Sequence, residues 1–336
     1  MTRVFSGIQP TGDLHLGNYL GALVNWVAMQ ETHDCVYCVV DMHAITTPKG
    51  HDPKKLRDDT LGMATALLAV GVDPERSVLF VQSHLGDVHG EMTWMFNCVT
   101  SFGELNKQPQ FKEKSAQAEQ VTAGLFDYPV LQTSDILLYD ADEVPVGEDQ
   151  RHHIELARNI GGRFNHRFGE VFRLPKAIHP PTAARVMDLQ NPENRMSKSA
   201  SSPKGVVQLL GEPKRIAKQF RSAVTDSETE VRHDREAKPG VSNLLEIFAV
   251  ASGREIDDLV AEYGDQGYGT FKSAVAEAVV EMLRPVQERH AELADDPGEV
   301  MRILADGAQR ARAISEPILQ RAKDAVGFLE AGEATA

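Results

Sequence analysis

Val4-Phe5-Ser6-Gly7-Ile8-Gln9-Pro10-Thr11-Gly12-Asp13-Leu14-His15-Leu16-Gly17-Asn18 decides how this chain folds. Val4 to Ile8 is an apolar run of strand length, and Pro10 and Gly12 break it. Leu16, Leu20, Leu23, Val24 and Val27 then recur at helical spacing, so the stretch reads as strand, tight loop, helix. A helix beginning there turns backbone N–H groups and the positive end of its dipole into the loop, which suits a polyphosphate. His15 falls at the mouth of that loop, and Gly17 lets a ligand approach the backbone closely.

Working outward, Val36 to Asp41 and Ser77 to Ser83 read as continuous apolar strands, with the amphipathic Pro53 to Val70 crossing between them. Strands apolar on both faces belong to a parallel sheet covered on both sides, and ligands then collect at its carboxyl ends. Residues 9–18, Asp41 to His43 and Gln82 to Asp87 all follow such ends. A helical stretch from Thr93 to Leu138 comes next, then a short strand at Val144-Pro145-Val146 running into Gly147-Glu148-Asp149-Gln150. Beyond Pro203 strand signals vanish, and charged amphipathic helices are expected at roughly 212–221, 242–251, 271–290 and 298–328. Ser222 to Gly240 reads as a long ordered connector.

With 336 residues the chain exceeds the usual size of one core, and two domains are expected. No apolar run approaches bilayer length and the N-terminus lacks a secretion signal, so the expected location is cytoplasmic, without a membrane partner. Cys35-Val36-Tyr37-Cys38 lies in a strand, where residues three apart point to opposite faces, so this pair reads as packing rather than metal or redox chemistry. Cys98 is expected to be buried. A formal charge of −14 argues against broad nonspecific nucleic-acid binding, DNA included. It leaves room for local basic faces: Lys107, Lys112 and Lys114; Lys214, Arg215, Lys218 and Arg221; and Arg310, Arg312, Arg321 and Lys323. The plain alternative for each is a solvated helix face, favoured for the last group because Glu316 and Asp324 are mixed into it.

Arg195-Met196-Ser197-Lys198-Ser199 is a second basic, serine-rich signature well downstream of Thr11 to Asn18. Alone, either is an ordinary loop with a stray histidine or lysine; in this order the pair points to ATP. Here the chain resembles the bacterial tryptophanyl-tRNA synthetases of class I, almost end to end. Phe5 to Gly12, His15-Leu16-Gly17-Asn18, Asp41-Met42-His43-Ala44, Phe111 to Ser115, Asp135 to Tyr139, Val146 to Gln150, Arg195 to Ser199, Ser222 to Ser227 and Ala237 to Gly240 stand in that family's order. The chain departs from the commonest pattern in ending the first signature with Asn18, opening the second with Arg195, and carrying Gln132 where some members have methionine.

The resemblance implies an α/β, Rossmann-like parallel-sheet catalytic domain over 1–205 with a helical insertion at about 104–176. An all-helical anticodon-binding domain over 206–336 follows. It implies a homodimer that activates L-tryptophan with ATP, Mg²⁺ arriving with the nucleotide, and charges tRNA(Trp). A carboxylate nucleophile is already ionised at neutral pH, so the first step needs alignment and charge stabilisation rather than a general base. His15, Lys114, Arg195 and Lys198 are the implied catalytic residues. Gln9, Pro10, Thr11, Gly17, Asn18, Gly147, Glu148, Asp149, Val186, Met196, Ser197 and Ser199 join Arg195 and Lys198 in binding ATP. No protein metal ligand is named. The indole N–H is a donor and needs an acceptor. Asp135, on a helix beginning near Tyr128, fits, although a surface carboxylate would read alike. Phe5, His43, Gln132, Val144 and Val146 are implied as pocket walls, with Gln9, Tyr128 and Gln150 holding the amino-acid ends. The competing readings are a tyrosyl-tRNA synthetase, a silent paralogue and an unrelated adenylyl-transferring enzyme.

Overall fold

In the computed structural model, which describes residues 1–46, 51–116, 120–147, 150–178, 185–197 and 202–329 apart from the side chains at 110, 114 and 116, five parallel strands form one sheet. These are β1 (Arg3–Ile8), β2 (Asp34–Val39), β3 (Val78–Val81), β4 (Glu143–Pro145) and β5 (Lys176–Ile178), in the order β3-β2-β1-β4-β5. β1 and β2 run in register from Arg3 opposite Asp34 to Ile8 opposite Val39. The chain lays β2 and β3 to one side of β1, then crosses to place β4 and β5 on the other. That reversal opens a crevice at the carboxyl ends of β1 and β4, the place where open α/β sheets bind ligands. Among the described strands β5 is the one the sequence does not announce: three residues, one exposed and two half-exposed, are too few to show a period.

Both faces of the sheet are apolar because both are covered. Val4, Cys35, Tyr37, Val39, Leu79 and Val81 enter one core, and Phe5, Val36, Cys38, Val78 and Phe80 the other. Cys35 and Cys38 therefore point apart, and burial pushes both thiols up in pKa and keeps them protonated. Cys98, expected to be buried, is exposed just past a helix end.

The first core is closed by α1 (Leu16–Asn18), a π-turn at Tyr19–Leu23, α2 (Val24–Met29) and α4 (Pro53–Ala69), with the short α3 (Asp41–Ala44) at the end of β2. The second is closed by α5 (Gly86–Asn97), α8 (Ala123–Leu137) and α9 (Arg151–Phe168). The expected helical stretch from Thr93 to Leu138 is thus divided, with α6 (Phe102–Leu105) and α7 (Pro109–Ala116) between α5 and α8. α8 begins at Ala123, capped by the Thr122 hydroxyl, rather than near Tyr128.

The later half is helical: α10 (Pro213–Arg221), α11 (Pro239–Ser252), α12 (Ile256–Tyr263), α13 (Gly267–Asp295) and α14 (Pro297–Val326). It does not stand apart from the sheet. α14 lies along the edge strand β3, with Val300 and Leu304 in the first core and Ala311, Ile318 and Ala322 in the second. Gly307 makes that approach possible, since a Cβ there would sit 1.8 Å from the Leu79 carbonyl oxygen. Covering an edge strand this way removes a template for aggregation.

One expectation is corrected here. Arg310, Arg312, Arg321 and Lys323 keep solvent contact but are not a freely solvated face, because each is engaged by another part of the fold. Arg310 donates to the Pro74 and Ser77 carbonyls, Arg312 pairs with Asp87, Arg321 with Asp140 and Lys323 with Glu91. In the connector, buried Lys238 meets Asp226 at 3.1 Å, Glu228 at 2.7 Å and the Tyr268 hydroxyl at 2.8 Å. No helix of the described residues is long and apolar enough to cross a membrane.

Candidate functional site

The crevice at the sheet's reversal point holds a cavity of about 430 Å³. β1 supplies Phe5, Ser6 and Gly7 with Gln9 just beyond, and the end of β4 supplies Val144 and Pro145 with Val146 and Gly147 following. α8 contributes Tyr128, Gln132 and Asp135, spaced i, i+4, i+7 so that all three share one helix face. His43 closes one side from α3, and Gln150 and His153 come from the start of α9. Apolar walls with a few convergent polar groups are what a small-molecule site requires. Tyr128 stays a neutral phenol, pushed up to about 12 by burial, and meets the His43 ring edge-on at 6.3 Å.

Asp135 is 2% exposed, so its charge has to be held by protein donors. Three are present. Gln82 Nε2 donates to Oδ1 at 2.6 Å, His89 Nδ1 meets the same oxygen at 2.7 Å, and His43 Nε2 meets Oδ2 at 2.7 Å. Gln82 is locked the right way round because its Oε1 accepts from the Met42 backbone N–H at 3.1 Å. His89, fully buried, has its other nitrogen 2.8 Å from the Tyr139 hydroxyl. Burial pushes the Asp135 carboxyl up, but the charge and hydrogen bond of His43, then those of His89, outweigh it and leave its pKa well below the usual carboxylate range. A carboxylate offers about four acceptor positions. Among the described residues Gln82 and His89 take both on Oδ1 and His43 takes one on Oδ2, which leaves one on Oδ2 of a side chain that lines the cavity.

The two signatures lie against each other. Gly12 adopts φ +64°, the left-handed turn that favours glycine, and the Thr11 N–H bonds the Gln9 carbonyl at 2.9 Å. His15 is buried and caps the short α1: its Nδ1 accepts from the Asn18 N–H at 3.3 Å while Asn18 Oδ1 accepts from the His15 N–H at 3.2 Å. An asparagine at 18 therefore completes a reciprocal cap. With Nδ1 accepting, the proton of neutral His15 sits on Nε2. The helix start is less open than the sequence suggests, because the Leu16 N–H goes to the Val207 carbonyl at 2.8 Å and that of Asn18 to His15. A Cβ on Gly17 would stand 3.0 Å from His15 Nδ1 and 3.6 Å from Met196 Cβ, so the glycine lets the second signature close on the first. Met196 is buried; its N–H bonds the Val186 carbonyl at 3.0 Å, and Met187 and Arg195 form an antiparallel bridge.

Phe5, Gln9, His43, Tyr128, Gln132, Asp135, Val144, Val146 and Gln150 therefore line one cavity, and His15, Gly17, Asn18, Val186 and Met196 meet at the signatures. Lys114 lies on α7. Its side chain, and Glu148, Asp149, Lys198 and Ser199, lie outside the described residues. Ser6, Gly7, Val40, Ile136, His153 and Ile154 also line the cavity, and the sequence alone assigns them no part in it. Gln82 stands out in the sequence only as following a strand end, and His89 not at all. The i, i+4, i+7 spacing on α8 is the local signal that could have found the pocket face; no local signal links residues 82 and 89 to 135.

A family model described as "tRNA synthetases class I (W and Y)" matches residues 1–284. Over 332 residues the chain is 53% identical to tryptophan–tRNA ligase 2 of Streptomyces avermitilis, covering 98% of each. Among solved structures, the tryptophanyl-tRNA synthetase of Mycoplasma pneumoniae superposes with TM-score 0.88 at 33% identity, covering 98% of each chain. That of Campylobacter jejuni, solved with ADP and tryptophan, gives 0.84 at 35% identity, covering 97% of this chain and all of that one (100%).

Proposed function

The chain belongs to the class I tRNA synthetases of the tryptophan and tyrosine type, and from that premise we propose how its residues work as a tryptophan–tRNA ligase. The reaction joins L-tryptophan to ATP with release of pyrophosphate, then passes the aminoacyl group to the terminal ribose of tRNA(Trp). One observation carries the residue assignment: the cavity at the β1/β4 reversal ends on a buried carboxylate with a single acceptor position to spare. An indole N–H donates once and accepts nothing, so it matches that position.

In this reading Phe5, Val144 and Val146 pack against the indole, and Gln9, Tyr128 and Gln150 hold the ammonium and carboxylate ends. The substrate carboxylate then attacks the α-phosphorus, forming the new C–O–P bond as the bond to pyrophosphate breaks. His15 through Nε2–H, with Lys114, Arg195 and Lys198, meets the charge that grows on the phosphate oxygens. Backbone at Gln9 to Thr11, Gly17 to Asn18 and Val186 holds the nucleotide, the acidic side chains that follow Gly147, Glu148 and Asp149, accept from its ribose hydroxyls, and Met196, Ser197 and Ser199 lie beside it. Mg²⁺ enters with the phosphates and keeps most of its waters.

Residues 1–205 are assigned to catalysis, with an insertion at about 104–176, and 206–336 to tRNA binding, in a cytoplasmic homodimer. Trp94 and Phe102, 67% and 72% exposed on α5 and α6, are large apolar side chains of the kind a second copy would cover, which supports the dimer. Amino-acid-dependent exchange of labelled pyrophosphate into ATP tests the reading: tryptophan supports exchange and tyrosine and phenylalanine do not. Exchange with tyrosine overturns it.

A further inference from the structure

α10 reads Pro213-Lys214-Arg215-Ile216-Ala217-Lys218-Gln219-Phe220-Arg221, with no acidic residue in it. Ile216, Gln219 and Phe220 are buried, while Lys214, Arg215, Lys218 and Arg221 are all exposed. Among the described residues none of these four cations has a carboxylate partner. Other arginines of the helical half behave differently: Arg254, Arg284, Arg289 and Arg302 each pair with a nearby glutamate. Lys214 and Lys218 stand four apart, and Lys218 stands three from both Arg215 and Arg221, spacings at which like charges repel. A chain of net charge −14 has acids to spare, yet the nearest one along the chain is Glu212 at the N-cap, and it pairs with none of the four.

The row of cations is also fixed in position. Gln219 Nε2 reaches the carbonyls of Pro203 at 3.1 Å, Lys204 at 3.3 Å and Val206 at 2.9 Å, fastening α10 to the segment that follows the second signature. The next residue of that segment, Val207, bonds Leu16 of the first signature. The basic face is therefore tied by hydrogen bonds to the segment that meets the first nucleotide signature.

We propose that the exposed face of α10 is a phosphate-backbone contact for the tRNA substrate, an inference that rests on the ligase reading above. Unpaired cations held on a rigid helix gain by neutralising a polyanion and releasing its counterions. The same contrast removes Arg310, Arg312, Arg321 and Lys323 from the tRNA-facing set, because the fold already uses them.

Lys214→Gln, Arg215→Gln, Lys218→Gln and Arg221→Gln, singly and combined, test this, with Arg284→Gln as a control that removes one charge elsewhere. Binding of a tRNA(Trp) transcript is followed from about 50 to about 300 mM salt, beside tryptophan-dependent pyrophosphate exchange. The expected result is a salt slope that shrinks by about 0.7–0.9 for each phosphate no longer neutralised, and a KM for tRNA raised about tenfold or more in the combined variant. Exchange, which needs no tRNA, stays at the wild-type rate. A combined variant that keeps the wild-type slope and KM overturns the proposal. So does a parallel fall in exchange, which would make α10 a support for the signatures alone. Failure of the ligase reading itself looks different: the wild type would show no tryptophan-dependent exchange.

Discussion

Asp135→Asn keeps the shape of the side chain and removes an acceptor from the floor of the cavity. An amide has one oxygen and one NH₂ group. Gln82 cannot turn to meet the NH₂, because its own oxygen is committed to the Met42 N–H. The amide oxygen is therefore drawn to the side of Gln82 and His89, and the NH₂ takes the place of Oδ2. His43 can respond by changing tautomer and accepting; an indole N–H cannot. A buried donor left facing another donor costs about 1–3 kcal/mol. That corresponds to roughly 5- to 150-fold in kcat/KM. The assay is pyrophosphate exchange with tryptophan and with an analogue whose ring N–H is replaced by sulfur. The wild type prefers tryptophan, and in the variant that preference shrinks by the factor above. Because both substrates see the same enzyme, a partly unfolded sample does not alter the ratio. A preference unchanged from wild type would refute the assignment of Asp135 as indole acceptor.

Two further outcomes follow from α14. Gly307→Val places a side chain where the Leu79 carbonyl already sits, and a paired strand backbone yields little, so stability falls by about 1–3 kcal/mol or more. Thermal unfolding should show Tm lowered by at least about 1 °C, and an unchanged Tm would deny the close approach of α14 to β3. The Asp87 carboxyl is held down to about 2, chiefly by its hydrogen bonds from Arg312, both at 2.8 Å. A depressed carboxylate contributes stability that is full above its unfolded pKa of about 3.9 and is lost as pH falls through the folded value. Asp87→Asn should therefore lower stability at neutral pH, by no more than about 1 kcal/mol because the pair is exposed, and converge on the wild type as pH falls to about 2 and below. A difference that stays constant down to pH 2 would contradict this.

The parallel sheet was legible because Val36 to Asp41 and Ser77 to Ser83 are apolar at nearly every position, which only burial on both faces explains. The loop from Gln9 to Asn18 was legible because proline and glycine punctuate a strand-to-helix change, and Gly12 does take the left-handed turn. The helices α10 and α14 declared themselves by their period, to within a residue or two. Their partners did not. The cations of α14 looked solvated among Glu316 and Asp324, yet they reach residues more than a hundred positions away.

The sequence by itself determined the class of fold, the end of the sheet where ligands gather, and the family to which the chain belongs. These depend on local period, on turn chemistry and on short motifs, all of which are written along the chain. Only the tertiary structure decided that Asp135 is held by Gln82, His89 and His43, that Gly17 receives Met196, and that α14 closes the edge of β3. The physical reason is that a periodic pattern says which face of an element must be buried but not against what. The partner is selected by packing and by satisfying buried polar groups, which couple segments the sequence leaves far apart.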